Sequence, residues 1–180
     1  MFFSTELEKE LSIQPKDLGP SLRHRIRERL AAEVEGKSLG RYGYIIKVEN
    51  IPDSAISKGR LEDATGEVQY KIKFVAIVFR PFKEEVIDAV VGVCNELGFF
   101  CHAGPLEIFV SHRTMPEDMQ NYNHETSRWV DDEKKMEIAA GSGVRVRIMN
   151  LRIDANKIFA VGTIKDNYLG LIEFEFPEET

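Results

Sequence analysis

Apolar and polar residues alternate along most of this chain with the period of two that strands require, and one segment switches to the helical period. Phe3, Thr5 and Leu7 alternate with Phe2, Ser4 and Glu6, which predicts a short first strand. Gly19-Pro20 then marks a helix start, since proline suits the first helical position. Leu22, Ile26, Leu30 and Val34 follow at intervals of four, one apolar stripe along a helix that Glu35-Gly36 should end. Tyr42–Glu49 returns to alternation, with Tyr42, Tyr44, Ile46 and Val48 on one face. A loop rich in Gly, Pro, Asp and Ser leads to a strand from Tyr70, where Ile72, Phe74, Ala76 and Val78 share a face. Strand, helix, strand, loop, strand predicts a small sheet with one helix across it: an α+β domain of truncated ferredoxin-like or RNP type.

Arg80-Pro81-Phe82 interrupts two strand-like runs, and a proline cannot donate to a sheet ladder. The domain boundary is therefore placed there, giving units 1–80 and 81–180 with almost no linker. Beyond it the pattern is all-β: Glu85–Val93, Gly98–His102, Glu107–Ser111, Val144–Leu151 and Ile158–Ile164. Five short strands, with one longer excursion between the third and fourth, fit a five-stranded Greek-key barrel of the OB type. In that excursion Met115–Met119 predicts a helical turn and Gln120–Arg128 a polar loop. Trp129-Val130 and Met136–Ile138 are expected to pair against the barrel rim. Asp131–Lys135 reads as a solvated turn.

Composition narrows the function classes. The 180 residues are 43% hydrophobic and 30% charged, ordinary for a globular protein. No apolar run approaches the ~18–20 residues of a membrane span, and MFFSTELEKE lacks a basic region ahead of an apolar core, so no secretory signal is expected. Charge divides by halves. Residues 1–80 hold 14 Lys and Arg against 12 Asp and Glu, whereas residues 81–180 hold 10 against 18. An acidic half cannot hold nucleic acid tightly through phosphate charge alone. Any RNA contact there needs a local patch and stacking.

Other chemistry finds little support. Gly36-Lys37-Ser38 imitates the end of a phosphate-binding loop, but Ala31 stands where the first glycine belongs and a helix, not a strand, precedes it. Arg23, Arg25, Arg27 and Arg29 lie mostly off the apolar stripe; with Glu28 and Glu33 interleaved, a solvated face is the preferred reading over a nucleic-acid face. Cys94 and Cys101 form no C-x-x-C pair and read as reduced thiols. His102, His112 and His124 with Cys101 fit no zinc spacing. Ser111-His112 diverge as strand neighbours and no nucleophile elbow surrounds them. No catalytic residue, metal site or cofactor is expected.

The words Leu97-Gly98-Phe99-Phe100-Cys101 and Ile108-Phe109-Val110-Ser111-His112 resemble strands two and three of the S1 subclass of OB barrels. Such barrels bind single-stranded RNA there, with rings stacked on bases and cations beside the backbone. The resemblance maps that surface onto Phe100 and Phe109, with His112 and Arg113 past the third strand and Lys157 in the turn before the fifth. Alternation puts Phe99 and Phe100 on opposite faces, one core and one surface. Phe100 is assigned to the RNA face, while Phe109 is equally consistent with the barrel core.

The chain as a whole, from Met1 to about Ile172, resembles the family of RNA polymerase stalk proteins that includes the seventh subunit of eukaryotic polymerase II and its archaeal counterpart. The words are Leu18-Gly19-Pro20, Glu33-Val34-Glu35-Gly36, Gly40-Arg41-Tyr42-Gly43-Tyr44, Lys58-Gly59-Arg60, Ala76-Ile77-Val78-Phe79-Arg80-Pro81-Phe82-Lys83, Ile158-Phe159-Ala160-Val161-Gly162 and Tyr168-Leu169-Gly170-Leu171. The resemblance implies a nuclear, non-catalytic subunit with a tip domain and an S1-like barrel, paired with the fourth polymerase II subunit. It implies docking at the clamp base through loops at Asp17, Gly19 and Pro20 and at Ser57, Lys58, Gly59 and Arg60, and a barrel that meets nascent single-stranded RNA. Two alternatives remain beside it: a free-standing S1-domain factor of translation or RNA decay, and the equivalent stalk subunit of another nuclear polymerase.

Overall fold

In the computed structural model, which describes residues 1–119, 121–131, 136–154 and 157–172, the first strand β1 spans Phe2–Ile13. It is twice as long as its opening alternation predicts, because alternation continues with charged residues on the outer face. Leu7, Leu11 and Ile13 are buried while Glu6, Glu8 and Glu10 are exposed. Acidic side chains are a common way to blunt an edge strand, and Glu8 takes an ion pair from Lys71 at 2.6 Å.

The chain divides into two units, Met1–Arg80 and Pro81–Thr180. In the first, helix α1 (Leu22–Val34), β2 (Tyr44–Asn50), β3 (Arg60–Leu61) and β4 (Val68–Phe79) follow β1. The sheet order is β1-β4-β2, with β3 also on β4 and all pairs antiparallel. Strand β4 is the centre, and its Ile72, Phe74, Ala76 and Val78 are almost wholly inaccessible. Ile26, Leu30 and Val34 of α1 pack onto that face, so the stripe at intervals of four is the core stripe.

The reading of β2 needs correction. Tyr42 belongs to a 3-10 turn, and bulges between Ile45 and Lys47 and between Val48 and Asn50 break the alternation. Tyr44 and Ile45 are therefore both buried and Ile46 is exposed. The Gly36-Lys37-Ser38 segment continues the edge of β2. The Gly36 amide donates to the Ile45 carbonyl at 2.8 Å, and the Ile45 amide to the Lys37 carbonyl at 3.0 Å. Amides used this way cannot cradle a phosphate.

The second unit is all-β. Its strands are β5 (Val86–Asn95), β6 (Gly98–Ala103), β7 (Leu106–Ser111), β8 (Asn121–Asn123), β9 (Arg128–Val130), β10 (Glu137–Ile138), β11 (Gly143–Ile153), β12 (Ile158–Thr163) and β13 (Gly170–Ile172). Strands β5, β6, β7, β12 and β11 close a five-stranded barrel, β12 lying parallel to β7 and antiparallel to β11. This is the OB arrangement, with β13 added on β11. Phe99, Cys101, Leu106, Ile108, Val110, Val144, Val146, Ile148 and Ala160 fill the interior.

Between the third and fourth barrel strands lie two 3-10 turns and a three-stranded sheet, β10-β9-β8. The segment expected to be a polar loop contributes β8 and a hairpin. Trp129 fastens this sheet to the barrel: it is buried, its indole N–H donates to the Gly98 carbonyl at 3.4 Å, and its ring lies 5.2 Å from that of Tyr122. The predicted turn over 132–135 and the segment from 173 onward lie outside the described residues. Among the described residues no helix is long and apolar enough to cross a membrane.

Candidate functional site

Alternation along β6 turns Phe99 inward and Phe100 outward. Phe99 is fully buried; Phe100 is half-buried. Phe109 on β7 is directly opposite Phe100 in register, and it also points outward, since Ile108 and Val110 beside it are core residues. The two rings meet with centroids 4.8 Å apart and planes tilted by 43°. Aromatic neighbours at this spacing support one another beyond their buried area. Both rings are half-buried on the outer wall of the barrel.

Register extends the row. Val93 on β5 pairs with Phe100, and Val161 on β12 pairs with Phe109. Both are exposed, at 60% and 43%. The next row runs from Val90 through His102 and Glu107 to Phe159 and Arg152. The first row is apolar across four strands, and the second adds His102, Glu107 and Arg152 to the outer face.

The three basic residues predicted for this face do not cluster. His112 and Arg113 lie in the 3-10 turn after β7. The His112 amide donates to the Leu97 carbonyl at 3.0 Å, and its ring Nδ1 lies 3.3 Å from the same oxygen, a contact that needs the proton on Nδ1. Lys157 is exposed just before β12, and β12 begins beside Glu107 at the start of β7. Parallel pairing therefore puts Lys157 at the opposite end of the face from His112 and Arg113. That separation is unreadable from a sequence without knowing which strand closes the barrel.

In the first unit, the two loops singled out for docking emerge at one end of the sheet. Ile13 of β1 and Leu61 of β3 flank Val68 of β4 on its two sides. The turn carrying Asp17, Gly19 and Pro20 follows β1, and the segment Ser57–Arg60 enters β3. The Ser57 amide donates to the Lys71 carbonyl at 2.9 Å, and the Lys71 amide donates to Ser57 Oγ at 2.8 Å. A Cβ on Gly59 would come within 2.5 Å of Val68 Cγ1 and 2.8 Å of the Tyr70 ring, so a larger residue there would force those side chains to shift. Lys58 and Arg60 are exposed. Leu18, within the first of these loops, and Leu61, which was not among the docking assignments, present exposed apolar side chains at the same end.

The helix arginines serve these loops. Arg25 donates to Asp17 at 2.7 Å; Arg23 and Arg27 donate to Asp53 at 2.6 and 2.7 Å. The face stays exposed to solvent, as expected, while three of its arginines pair with loop carboxylates. The Asp17 carboxylate, one of the docking assignments, is engaged by Arg25.

Cys101 is buried with its Sγ 3.5 Å from the Ile108 carbonyl, and burial pushes its thiol up to about 12. Burial also raises Cys94. Protonated thiols of this kind are neither nucleophiles nor metal ligands. On the outer barrel wall Arg145 donates to both oxygens of Asp88, at 2.6 and 2.9 Å, and holds that carboxyl below its ordinary range. Among the described residues no group of three or more His, Cys, Asp or Glu side chains could hold a metal.

Comparison with known proteins agrees with this architecture. Residues 8–66 match the family described as "SHS2 domain found in N terminus of Rpb7p/Rpc25p/MJ0397". The chain is 42% identical to a DNA-directed RNA polymerase II subunit rpb7 from Dictyostelium discoideum, over 96% of this chain and 99% of that one. It is 40% identical to DNA-directed RNA polymerase II subunit RPB7 of Glycine max, over 96% and 97%. DNA-directed RNA polymerase V subunit 7 of Arabidopsis thaliana is more distant, at 28% over 82% and 83%. An SHS2 unit followed by an OB barrel, matched along nearly the full length of both chains, makes this protein a member of the RNA polymerase II subunit 7 family.

Proposed function

We propose that the protein is a non-catalytic subunit of nuclear RNA polymerase II which, with the fourth subunit, forms a stalk at the clamp base and offers its barrel to nascent single-stranded RNA. The full-length correspondence to polymerase II subunits carries the reading. The greater distance of the polymerase V relative favours polymerase II among nuclear enzymes.

The geometry supplies a division of labour. The first unit gathers Gly19, Pro20, Ser57, Lys58, Gly59 and Arg60 at one end of its sheet, with exposed Leu18 and Leu61 among them. Apolar anchors ringed by polar and basic groups suit a protein–protein contact. In the second unit, Phe100 and Phe109 offer a ring pair on the barrel wall where OB folds hold single strands. His112, Arg113 and Lys157 mark the two ends of that wall as cation positions for the RNA backbone.

Affinity purification of the tagged chain from nuclear extract tests the assignment. Recovery of the fourth subunit with the large polymerase II subunits is the expected result. Recovery of polymerase IV or V subunits would transfer the protein to another enzyme, and recovery of ribosomes or nucleases without any polymerase subunit would overturn the proposal.

A further inference from the structure

The aromatic stacking positions expected from the sequence, Phe100 and Phe109, are on the second and third barrel strands, with Lys157 in the turn before the fifth. The structure adds a third ring. Phe159 is on β12, the strand that closes the barrel against β7, and 41% of it is exposed. It points outward because Ile158 and Ala160 on either side of it are core residues. Two residues along the same outer face is Val161, the register partner of Phe109, so Phe159 lies diagonally beside Phe109, about 6.6 Å along the strand from Val161.

The surrounding charge is selective. Arg128, Arg145, Arg147 and Lys165 of this unit are engaged by the carboxylates of Glu137, Asp88, Asp166 and Glu117. Among the described residues of this unit, Lys83, Arg113, Arg152 and Lys157 have no such partner. Arg152 is the register partner of Phe159 across the β11–β12 pair. Lys157 is two residues before Phe159, just ahead of β12. Two of these four cations therefore border one exposed ring, in a half of the protein whose net charge is negative. The other neighbours on this face are Glu107, the partner of Phe159 on β7, and His102 opposite Glu107. Glu107 keeps phosphate off the β7 side of the ring, so the backbone is directed along the Arg152 side.

We propose that Phe159 is a further RNA-stacking position, with Arg152 and Lys157 holding the adjoining phosphates, so that a single strand crosses from the Phe100–Phe109 pair onto β12. The proposal rests on the reading that this barrel face binds RNA. A flat, anionic ligand with a π-face on each unit is what a ring bordered by unengaged cations recognises.

The test is fluorescence anisotropy of a labelled twelve-nucleotide uridine strand with the full chain. Phe159→Ala and Phe159→Leu should each weaken binding about tenfold, on the scale of one lost stacked base. Phe159→Tyr should bind as the native chain does, because it keeps the ring. Arg152→Ala should lower the slope of affinity against salt by about one phosphate contact. Phe100→Ala with Phe109→Ala provides the reference. Should that double variant weaken binding while Phe159→Leu leaves it unchanged, β12 is outside the RNA path and the inference falls alone. Should no ring variant weaken binding, the RNA reading of the whole face falls with it. Circular dichroism confirms that each variant is folded, which the exposure of Phe159 favours.

Discussion

Arg27 and Asp53 join the middle of α1 to the loop that leaves β2. Arg27 Nη2 donates to Asp53 at 2.7 Å, and Nε and Nη2 both donate to the Ile51 carbonyl, at 3.3 and 3.2 Å. Arg23, one turn earlier, reaches the same carboxylate at 2.6 Å. The loop that leads to Ser57–Arg60 is thus positioned by the helix whose other face packs the sheet.

Arg27→Ala and Asp53→Asn should loosen that loop with little loss of overall stability. Both side chains are about half exposed, and such pairs contribute about 0–1 kcal/mol. Hydrogen exchange measured by mass spectrometry should show faster exchange at 53–58 and unchanged protection in β4. The native loop should itself loosen at 1 M salt, where the Debye length is about 3 Å. A global loss of protection would show that the pair supports the core instead.

Phe99 and Phe100 are adjacent and should behave oppositely. Phe99→Ala empties the barrel interior and should cost about 3–5 kcal/mol in urea unfolding. Phe100→Ala removes a half-buried ring stacked on Phe109 and should cost about 1 kcal/mol. Comparable losses at the two sites would overturn the assignment of faces.

Gly98→Ala should be among the most damaging single-methyl additions. Gly98 adopts φ of +148°, and a Cβ there would land on the Val110 carbonyl oxygen. The backbone conformation alone costs a non-glycine residue about 1–3 kcal/mol. The same peptide accepts the Trp129 indole N–H. The variant should therefore lower the melting temperature and red-shift tryptophan emission together; a lowered temperature with unchanged emission would separate the two roles.

Cys101 should resist thiol reagents at pH 8 in the native protein and react once urea unfolds it, since its thiol is raised to about 12. The sign of the pH dependence follows. The folded thiol holds its proton more tightly than the unfolded one, whose pKa is about 8.5. Its contribution to stability is complete below about pH 8.5 and is lost as pH rises toward 12. Cys101→Ala should flatten unfolding free energy against pH across that window; an unchanged slope would assign the effect to other groups.

Strong, unbroken periodicity was readable in advance. The α1 stripe, the Ile72–Val78 face of β4 and all five barrel strands occur where alternation places them, within two residues at the ends. Readings went astray where geometry departs from a fixed period. The bulges of β2 put Tyr44 and Ile45 in the core together. The excursion before β11 looked polar because its β8–β9 hairpin carries most of its residues outward, while Trp129 and the Tyr122 hydroxyl tie it to the barrel. The signal for Phe159 was present in the alternation of Lys157, Phe159 and Val161 against Ile158 and Ala160. It could not be connected to Phe109 without the pairing of β12 with β7.

By itself the sequence determined the two-part organisation, the inward and outward choice along strands free of bulges, and the family. Those properties follow from local spacing, since side chains alternate whatever their neighbours. Tertiary structure alone decided which strands adjoin. It brought Phe100, Phe109 and Phe159 onto one wall, separated Lys157 from His112 and Arg113, and gathered two distant loops at the Val68 end of β4. Register between strands far apart in sequence is selected by core packing and barrel closure across the whole unit, and no local pattern carries it.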